Sequence, residues 1–391
     1  MTREERLVEL CRELIRRPSL SGKERAAAEF MVESMKALGY DAVSIDRYGS
    51  VLGCVRGKRP GKTVLLDGHM DTVPVAERAR WTHDPFGGKI EDGRIYGRGA
   101  SDMKGGVAAM AEAAARFAED SGRDFAGTIY VSCSVQEELF EGVSCREIIK
   151  NAKPDYVIIG ESTAGALQIG QRGRAEVVVE TEGISCHSSN PKLGVNAVYH
   201  MMELVGELQT LVPGTHPLLG EGISELTDIR SDPYPGASVV PGRCRATYDR
   251  RLLVGETAES VLNEFRAAIE RTRVRVPELK ARAYLAEGEN LCWTGENIRA
   301  TRFFPAWALD ESDTLVQTAL AGLRQVGIDA PVSHYAFCTN GSAFCGEAGI
   351  PTIGFGPSLE TLAHTADEYI ELSQLTMACQ GYCGILRALL R

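Results

Sequence analysis

Thr63-Val64-Leu65-Leu66-Asp67-Gly68-His69-Met70-Asp71 sets the reading of the whole chain. Its first half is a short apolar run of the kind that forms a strand buried on both faces. Its second half turns to His and Asp, groups that ligate metals or move protons. In open α/β sheets, reactive groups collect beyond the carboxyl ends of the strands. The stretch therefore predicts a buried strand whose far end enters a site. Working outward, the pattern recurs. Thr128–Val135 is β-branched and runs into Gln136-Glu137-Glu138, and Tyr156–Ile159 ends in Gly160-Glu161. Pro351–Phe355 is followed by a short loop and Ala363-His364-Thr365-Ala366-Asp367-Glu368. Gly97-Arg98-Gly99-Ala100-Ser101-Asp102 precedes an Ala-rich helical pattern from Met103 to Ala118.

Between these runs lie helical patterns. Residues 4–16 place Leu7, Leu10, Cys11, Leu14 and Ile15 on one face, and Pro18 stops them. Ser21 with Glu24 reads as a capping box opening a second helix that ends at Gly39. Strands are predicted at 42–45 and 51–55, and a helix at 144–150. Helices alternating with buried strands mean an α/β fold, a mostly parallel sheet with helices on both faces. The character changes near Gln171-Arg172-Gly173-Arg174. Residues 175–182 alternate Val177 and Val179 with Glu176, Glu180 and Glu182, as a half-exposed antiparallel strand does. A helix at 195–210, a Gly/Pro-rich loop at 213–242, a strand at 243–249 and a helix at 257–272 complete an α+β insert. The α/β style returns with helices at 312–325 and 373–389. The expected domains are an α/β domain in two parts, 1–174 and 301–391, interrupted by a smaller α+β domain at 175–300.

Composition narrows the function. The 391 residues are 44% hydrophobic and 25% charged, ordinary globular values that exclude a disordered or fibrous chain. A net charge of −10 argues against nucleic-acid and anionic-membrane partners, which need a basic surface. No apolar run reaches the ~20 residues of a membrane span, and the start of the chain lacks a signal-peptide core. A cytoplasmic location is expected. The eleven cysteines are scattered, with no C-x-x-C pair, and read as reduced, buried thiols.

Two histidines and three carboxylates at successive strand ends suit a pair of zinc-like ions. Asp71, two residues beyond His69, is placed to accept that ring's other N–H. Of the adjacent Glu137 and Glu138, one can bind metal while the other faces an attacking water. Any one strand-end carboxylate is more often a helix cap or a solvated loop residue, and Asp102 alone would be read as a cap. Five such groups together are a site.

These motifs, with Gly68-His69-Met70-Asp71-Thr72-Val73-Pro74, Asp102-Met103-Lys104-Gly105-Gly106 and the insert's Gly183-Ile184-Ser185-Cys186-His187-Ser188-Ser189-Asn190-Pro191, resemble a known metallopeptidase family. It contains carboxypeptidase G, acetylornithine deacetylase, succinyl-diaminopimelate desuccinylase and the aminoacylases. The resemblance spans nearly the whole chain. Gln171-Arg172-Gly173-Arg174, Asp249-Arg250-Arg251-Leu252, Cys292-Trp293-Thr294-Gly295 and Thr339-Asn340-Gly341 look closest to its selenium-metabolism-linked hydrolase branch.

The resemblance implies two divalent ions, zinc foremost with cobalt or manganese as alternates. His69 and Glu161 would hold one, Glu138 and His364 the other, and Asp102 would bridge them. Glu137 would be the general acid/base and Asp71 the partner of His69, with a cis peptide after Asp102. The insert would be a lid and dimerisation domain, whose His187 reaches a partner's substrate oxyanion and whose Arg251 grips a substrate carboxylate. Arg250 is expected at the surface. Asn340 stands where the family often has Asp, and Ser238 where it often has Asn, both beside the expected substrate site. Glu161 points toward deacylase or carboxypeptidase chemistry, since aminopeptidase relatives more often carry Asp there. The implied activity is hydrolysis of a peptide or N-acyl amide bond in a small carboxylate-bearing substrate, by a homodimer. N-carbamoyl or another non-peptide amide is the rival substrate, and a catalytically silent binding relative is the rival class. A two-domain solute-binding protein would need an export signal.

Overall fold

The computed structural model describes all 391 residues, which fall into two compact units: 1–171 with 289–300 and 307–391, and 172–288 with 301–306. The first unit is built on a nine-stranded sheet. Its centre is four adjacent strands, Ala126–Ser134, Arg59–His69, Tyr156–Ile159 and Thr352–Gly354, every neighbouring pair parallel. Val64, Leu65 and Leu66 are fully buried, as their unbroken apolar run requires of a strand covered on both faces. Because the four run the same way, their carboxyl ends open on the same edge. Antiparallel strands flank this core, Val51–Arg56 on one side and Leu167–Gln171 on the other.

The Ala-rich pattern forms the helix Gly105–Asp120, buried continuously from Gly105 to Ala118. Small side chains let it sit in the middle of the unit with no exposed face. Asp102 does not cap it: no side-chain cap bond is made, and the Asp102–Met103 peptide before it is cis. Two further helices, Thr314–Gln325 and Leu372–Leu389, approach at glycines. A Cβ on Gly322 would stand 2.5 Å from the Gly384 carbonyl oxygen.

The second unit is a five-stranded antiparallel sheet with the main order Ile223–Asp232, Arg243–Leu252, Gly173–Glu182, Lys280–Leu285. The helices Ala197–Leu208 and Ala258–Arg275 bury Met201, Leu204, Phe265 and Ile269 against Val177, Val179, Ala246 and Tyr248.

Three expectations are corrected. The loop read over 213–242 contains the ten-residue edge strand Ile223–Asp232. Its polar, largely exposed side chains hide it, and the ladder with Arg243–Leu252 creates it. The stretch 289–300, placed in the insert, belongs to the first unit: the Trp293 indole N–H donates to the Gly49 carbonyl at 3.2 Å and Thr294 Oγ1 to the Arg47 carbonyl at 2.7 Å. Ser21 and Glu24 form no capping box. The helix starts at Arg25, and both side chains turn away from it, Ser21 to Asp71 and Glu24 to Gly22 and Gln136.

Candidate metal centre

The four parallel strands deliver the residues in order across the sheet. His69 is the last residue of its strand, Glu137 and Glu138 follow Ser134, and Glu161 follows Ile159. His364 lies beyond the Thr352–Gly354 strand, and Asp102 sits in the tight turn Ala100–Lys104. Gln136 and His364 both hold left-handed backbone, at φ 63° and 61°, which non-glycine residues adopt only where surrounding contacts enforce it.

Asp102 divides the cluster. Its Oδ1 lies 3.0 Å from His69 Nε2, and its Oδ2 lies 3.1 Å from His364 Nε2. On the first side Glu161 Oε1 is 3.4 Å from His69 Nε2, and Glu137 Oε2 is 3.9 Å from it. On the second side Glu138 Oε2 is 3.1 Å from His364 Nε2. One carboxylate thus faces two imidazoles, the first accompanied by two glutamates and the second by one. His69, Glu137 and Glu161 are buried, while the His364 side chain is 52% exposed and leaves that side open to solvent.

The electrostatics suit divalent cations. Asp102, Glu137, Glu138 and Glu161 make their ion pairs with His69 and His364, none with Lys or Arg. The nearby buried Lys104 gives its Nζ hydrogens to the Leu14 and Arg17 carbonyls instead. Burial therefore pushes the Glu137 carboxyl well up, aided by the charges of Glu161 and Glu138. Burial likewise raises Glu138, and lifts Glu161 to about 7. Burial works the same way on Asp102, but the bonds from His364 and His69 outweigh it and hold that carboxyl low. The bonds to Asp102 and Glu138 raise His364 to about 10. Carboxylates crowded this closely repel one another unless positive charge lies between them, and imidazole with carboxylate is a donor set for zinc-like ions. The residues fit two such ions.

Asp71 serves the cluster in two ways. Its main-chain oxygen accepts from His69 Nδ1 at 2.9 Å, whereas its Oδ1 is 3.6 Å from that nitrogen. Its carboxylate accepts the backbone N–H groups of Glu137 and Glu138 at 3.1 and 3.2 Å and the Ser21 hydroxyl at 2.7 Å. The side chain expected on His69 therefore chiefly holds the two-glutamate turn. Sequence reading missed Ser21 because its spacing to Glu24 mimics a helix cap.

Asn340 was expected to touch substrate. It is 2% exposed, and its Nδ2 is committed to Asp67 Oδ2 and Ser134 Oγ, both at 2.9 Å, beneath the strands that carry His69 and Glu137. That amide nitrogen is held by the sheet, while Asn340 Oδ1 is buried with no hydrogen-bond partner. His187 and Arg251 lie in the second unit. His187 is exposed, with Ser189 Oγ 2.7 Å from its Nδ1, and Arg251 Nε is 2.8 Å from Asp249 Oδ1. Arg250, expected at the surface, is fully buried. Its guanidinium meets Glu256 at 2.6 Å, Glu264 at 3.2 Å and the Ile223 carbonyl at 3.2 Å. The partners it finds satisfy the charge.

Residues 65–388 match the profile of Peptidase family M20/M25/M40. The Escherichia coli (strain K12) protein named Uncharacterized protein YgeY is 34% identical over 379 residues, covering 96% of this chain and 92% of its own. A succinyl-diaminopimelate desuccinylase of Cereibacter sphaeroides (strain ATCC 17029 / ATH 2.4.9) is 27% identical, covering 97% of this chain and 98% of its own. The solved structure of the Bacillus subtilis YXEP protein, titled a dinuclear metal binding peptidase from the M20 family, superposes with a TM-score of 0.72 at 14% identity. It covers 98% of this chain and 97% of the other.

Proposed function

Because the chain belongs to peptidase family M20/M25/M40, and so is a metal-dependent peptidase- or deacylase-type hydrolase, we propose that it cleaves a peptide or N-acyl amide bond in a small, carboxylate-bearing substrate. The observation that carries this is Asp102, with one oxygen toward His69 and the other toward His364. In this reading His69 and Glu161 hold one divalent ion, Glu138 and His364 the second, and Asp102 both. Zinc is the first choice and cobalt or manganese the alternates. Bound ions of this kind acidify a water and polarise a carbonyl oxygen.

The chain's own groups handle the proton. The Glu137 carboxyl faces the His69 side of the cluster, and the Asp71 carboxylate fixes its backbone N–H. As a carboxylate it takes a proton from the attacking water. It then returns that proton to the departing nitrogen in the second half of the reaction. Arg251 would pair with the substrate carboxylate through its planar guanidinium. His187 would donate to the developing oxyanion of the substrate in a partner subunit, where one donor contributes about 3 kcal/mol.

The homodimer this requires is supported by the second unit. Its strand Ile223–Asp232 is at the end of the sheet with Ile223 41% and Ile229 48% exposed, and Tyr199 and Met202 are 66% and 62% exposed on the helix Ala197–Leu208. An open edge and exposed apolar side chains are features that an association covers. A monomer at micromolar concentration with full activity would rule this out.

The test is amine release from dipeptides, N-acyl and N-carbamoyl amino acids, using metal-stripped chain reloaded with Zn, Co or Mn. Glu137→Ala is expected to cut turnover by about 10²–10⁴-fold while metal content stays at the wild-type level. Turnover that survives Glu137→Ala defeats the assignment. N-carbamoyl substrates outperforming every acyl and peptide substrate would place the activity among non-peptide amidohydrolases.

A further inference from the structure

We propose that Glu368 and its buried partner Arg98 are a positioning pair for the metal centre, holding the turn of Asp102 and the loop of His364 to one another. The proposal rests on the metal-dependent reading above. Glu368 is fully buried and Arg98 is 2% exposed. Arg98 Nη1 donates to Glu368 Oε2 at 2.5 Å. The other oxygen, Oε1, accepts two main-chain N–H groups, Ser101 at 2.9 Å and Asp102 at 3.1 Å. The main chain of Glu368 adds a fourth tie, accepting the Gly97 N–H at 2.8 Å.

Glu368 stands one helical-turn length of chain after His364 and directly touches the backbone of Asp102. A single side chain therefore joins the residue that faces both imidazoles to the loop that supplies one of them. The loop has a second anchor, since the neighbouring Asp367 accepts the Thr82 and His83 N–H groups at 2.9 and 3.0 Å. Arg98 is fixed from outside, its main-chain N–H on the Pro85 carbonyl at 2.8 Å and its guanidinium over the Trp81 ring at 5.3 Å.

The chemistry of the position demands a carboxylate. Both oxygens must accept, one from a guanidinium and one from two amides. A glutamine of the same shape turns an NH₂ group toward one or the other in either orientation. Glu368→Gln thus disturbs the backbone of Asp102 without altering volume. An ion pair that merely filled the core would cost stability when broken and leave metal binding alone.

The experiment compares the full chain with Glu368→Gln, with Arg98→Met/Glu368→Met, which leaves the Ser101 and Asp102 N–H groups no side-chain acceptor, and with Glu112→Gln. Glu112 is an equally buried carboxylate that pairs with Arg6 and Arg116, both at 2.8 Å, and has no bond to the Asp102 turn. Zn(II) affinity is read by competition with a chromophoric chelator, the site geometry by the d–d absorption of Co(II)-loaded protein, and stability by thermal unfolding of the metal-free chain. Glu368→Gln is expected to weaken Zn(II) binding about 10–100-fold and to change the Co(II) spectrum. The double variant, relieved of an unpaired buried guanidinium, recovers stability but not affinity. It keeps the test valid if the single variant fails to fold. Glu112→Gln unfolds at lower temperature with wild-type affinity and spectrum. Wild-type affinity and spectrum in both Glu368 variants overturn the proposal, as does an equal loss of affinity in Glu112→Gln. A wild-type chain that binds no metal at all brings down the metal-dependent reading, and this inference with it.

Discussion

Asp71 shows how much of this site is decided by groups that never meet a substrate. Its carboxylate has three donors, two main-chain N–H groups and the Ser21 hydroxyl, and together they set where Glu137 and Glu138 begin. A hydrogen bond to a charged group contributes about 1.5–3 kcal/mol. Ser21→Ala is therefore expected to lower kcat about tenfold with KM nearly unchanged, a split that steady-state kinetics reads directly. An equal rise in KM would mean that Ser21 acts on substrate binding instead. At this scale the sequence was legible where chemistry is intrinsic to a residue type: it singles out His69, Asp102, Glu138, Glu161 and His364, and the fold brings these five side chains together. It was not legible where a side chain's partner is distant. Ser21 and Glu24 satisfy a local capping pattern, and only the folded chain reveals that Asp71 and Gln136 outcompete the helix for them. Arg250 looks like any exposed strand arginine until Glu256 and Glu264 are brought to it.

Elements were readable in proportion to how apolar they are. The runs at 63–67, 156–159 and 351–355 carry their own evidence for burial, and all three are central strands. Ile223–Asp232 does not, because an edge strand with exposed side chains has no periodic apolar signal. The hairpin around Trp293 has the opposite problem, since its membership depends on Gly49, more than two hundred positions away. Helix packing supplies a test at this level. Gly322 and Gly384 each bring the other's carbonyl to 2.5 Å from where a Cβ would be. These are backbone atoms, which cannot move aside as a flexible side chain does. Gly322→Ala is expected to destabilise the fold by about 1–3 kcal/mol, visible as a lower Tm with the metal affinity retained. A Tm at or above the wild type would show that the two helices separate at little cost.

For the whole molecule, the concentration of negative charge at one sheet edge means that ions and fold support each other. Glu137, Glu138 and Glu161 are raised because burial opposes their ionisation, so an ion that binds only the assembled site stabilises the folded chain. At a thousandfold excess over Kd this amounts to about 4 kcal/mol. Chelation is expected to lower Tm and re-addition of Zn(II) to restore it, and a Tm indifferent to chelator would contradict a site of this kind. No helix is long and apolar enough to cross a membrane. The strand order has a consequence for a chain still being made. The strand Thr352–Gly354 is inserted between two strands that precede it by well over a hundred residues, and His364 follows it. A nascent chain that has released His69, Asp102, Glu138 and Glu161 still lacks both the strand that completes the parallel core and the imidazole on the far side of Asp102. On the proposed set of ligands, hydrolytic capacity would arrive only with the last part of translation, and an unfinished or truncated copy would do no chemistry on the amides around it.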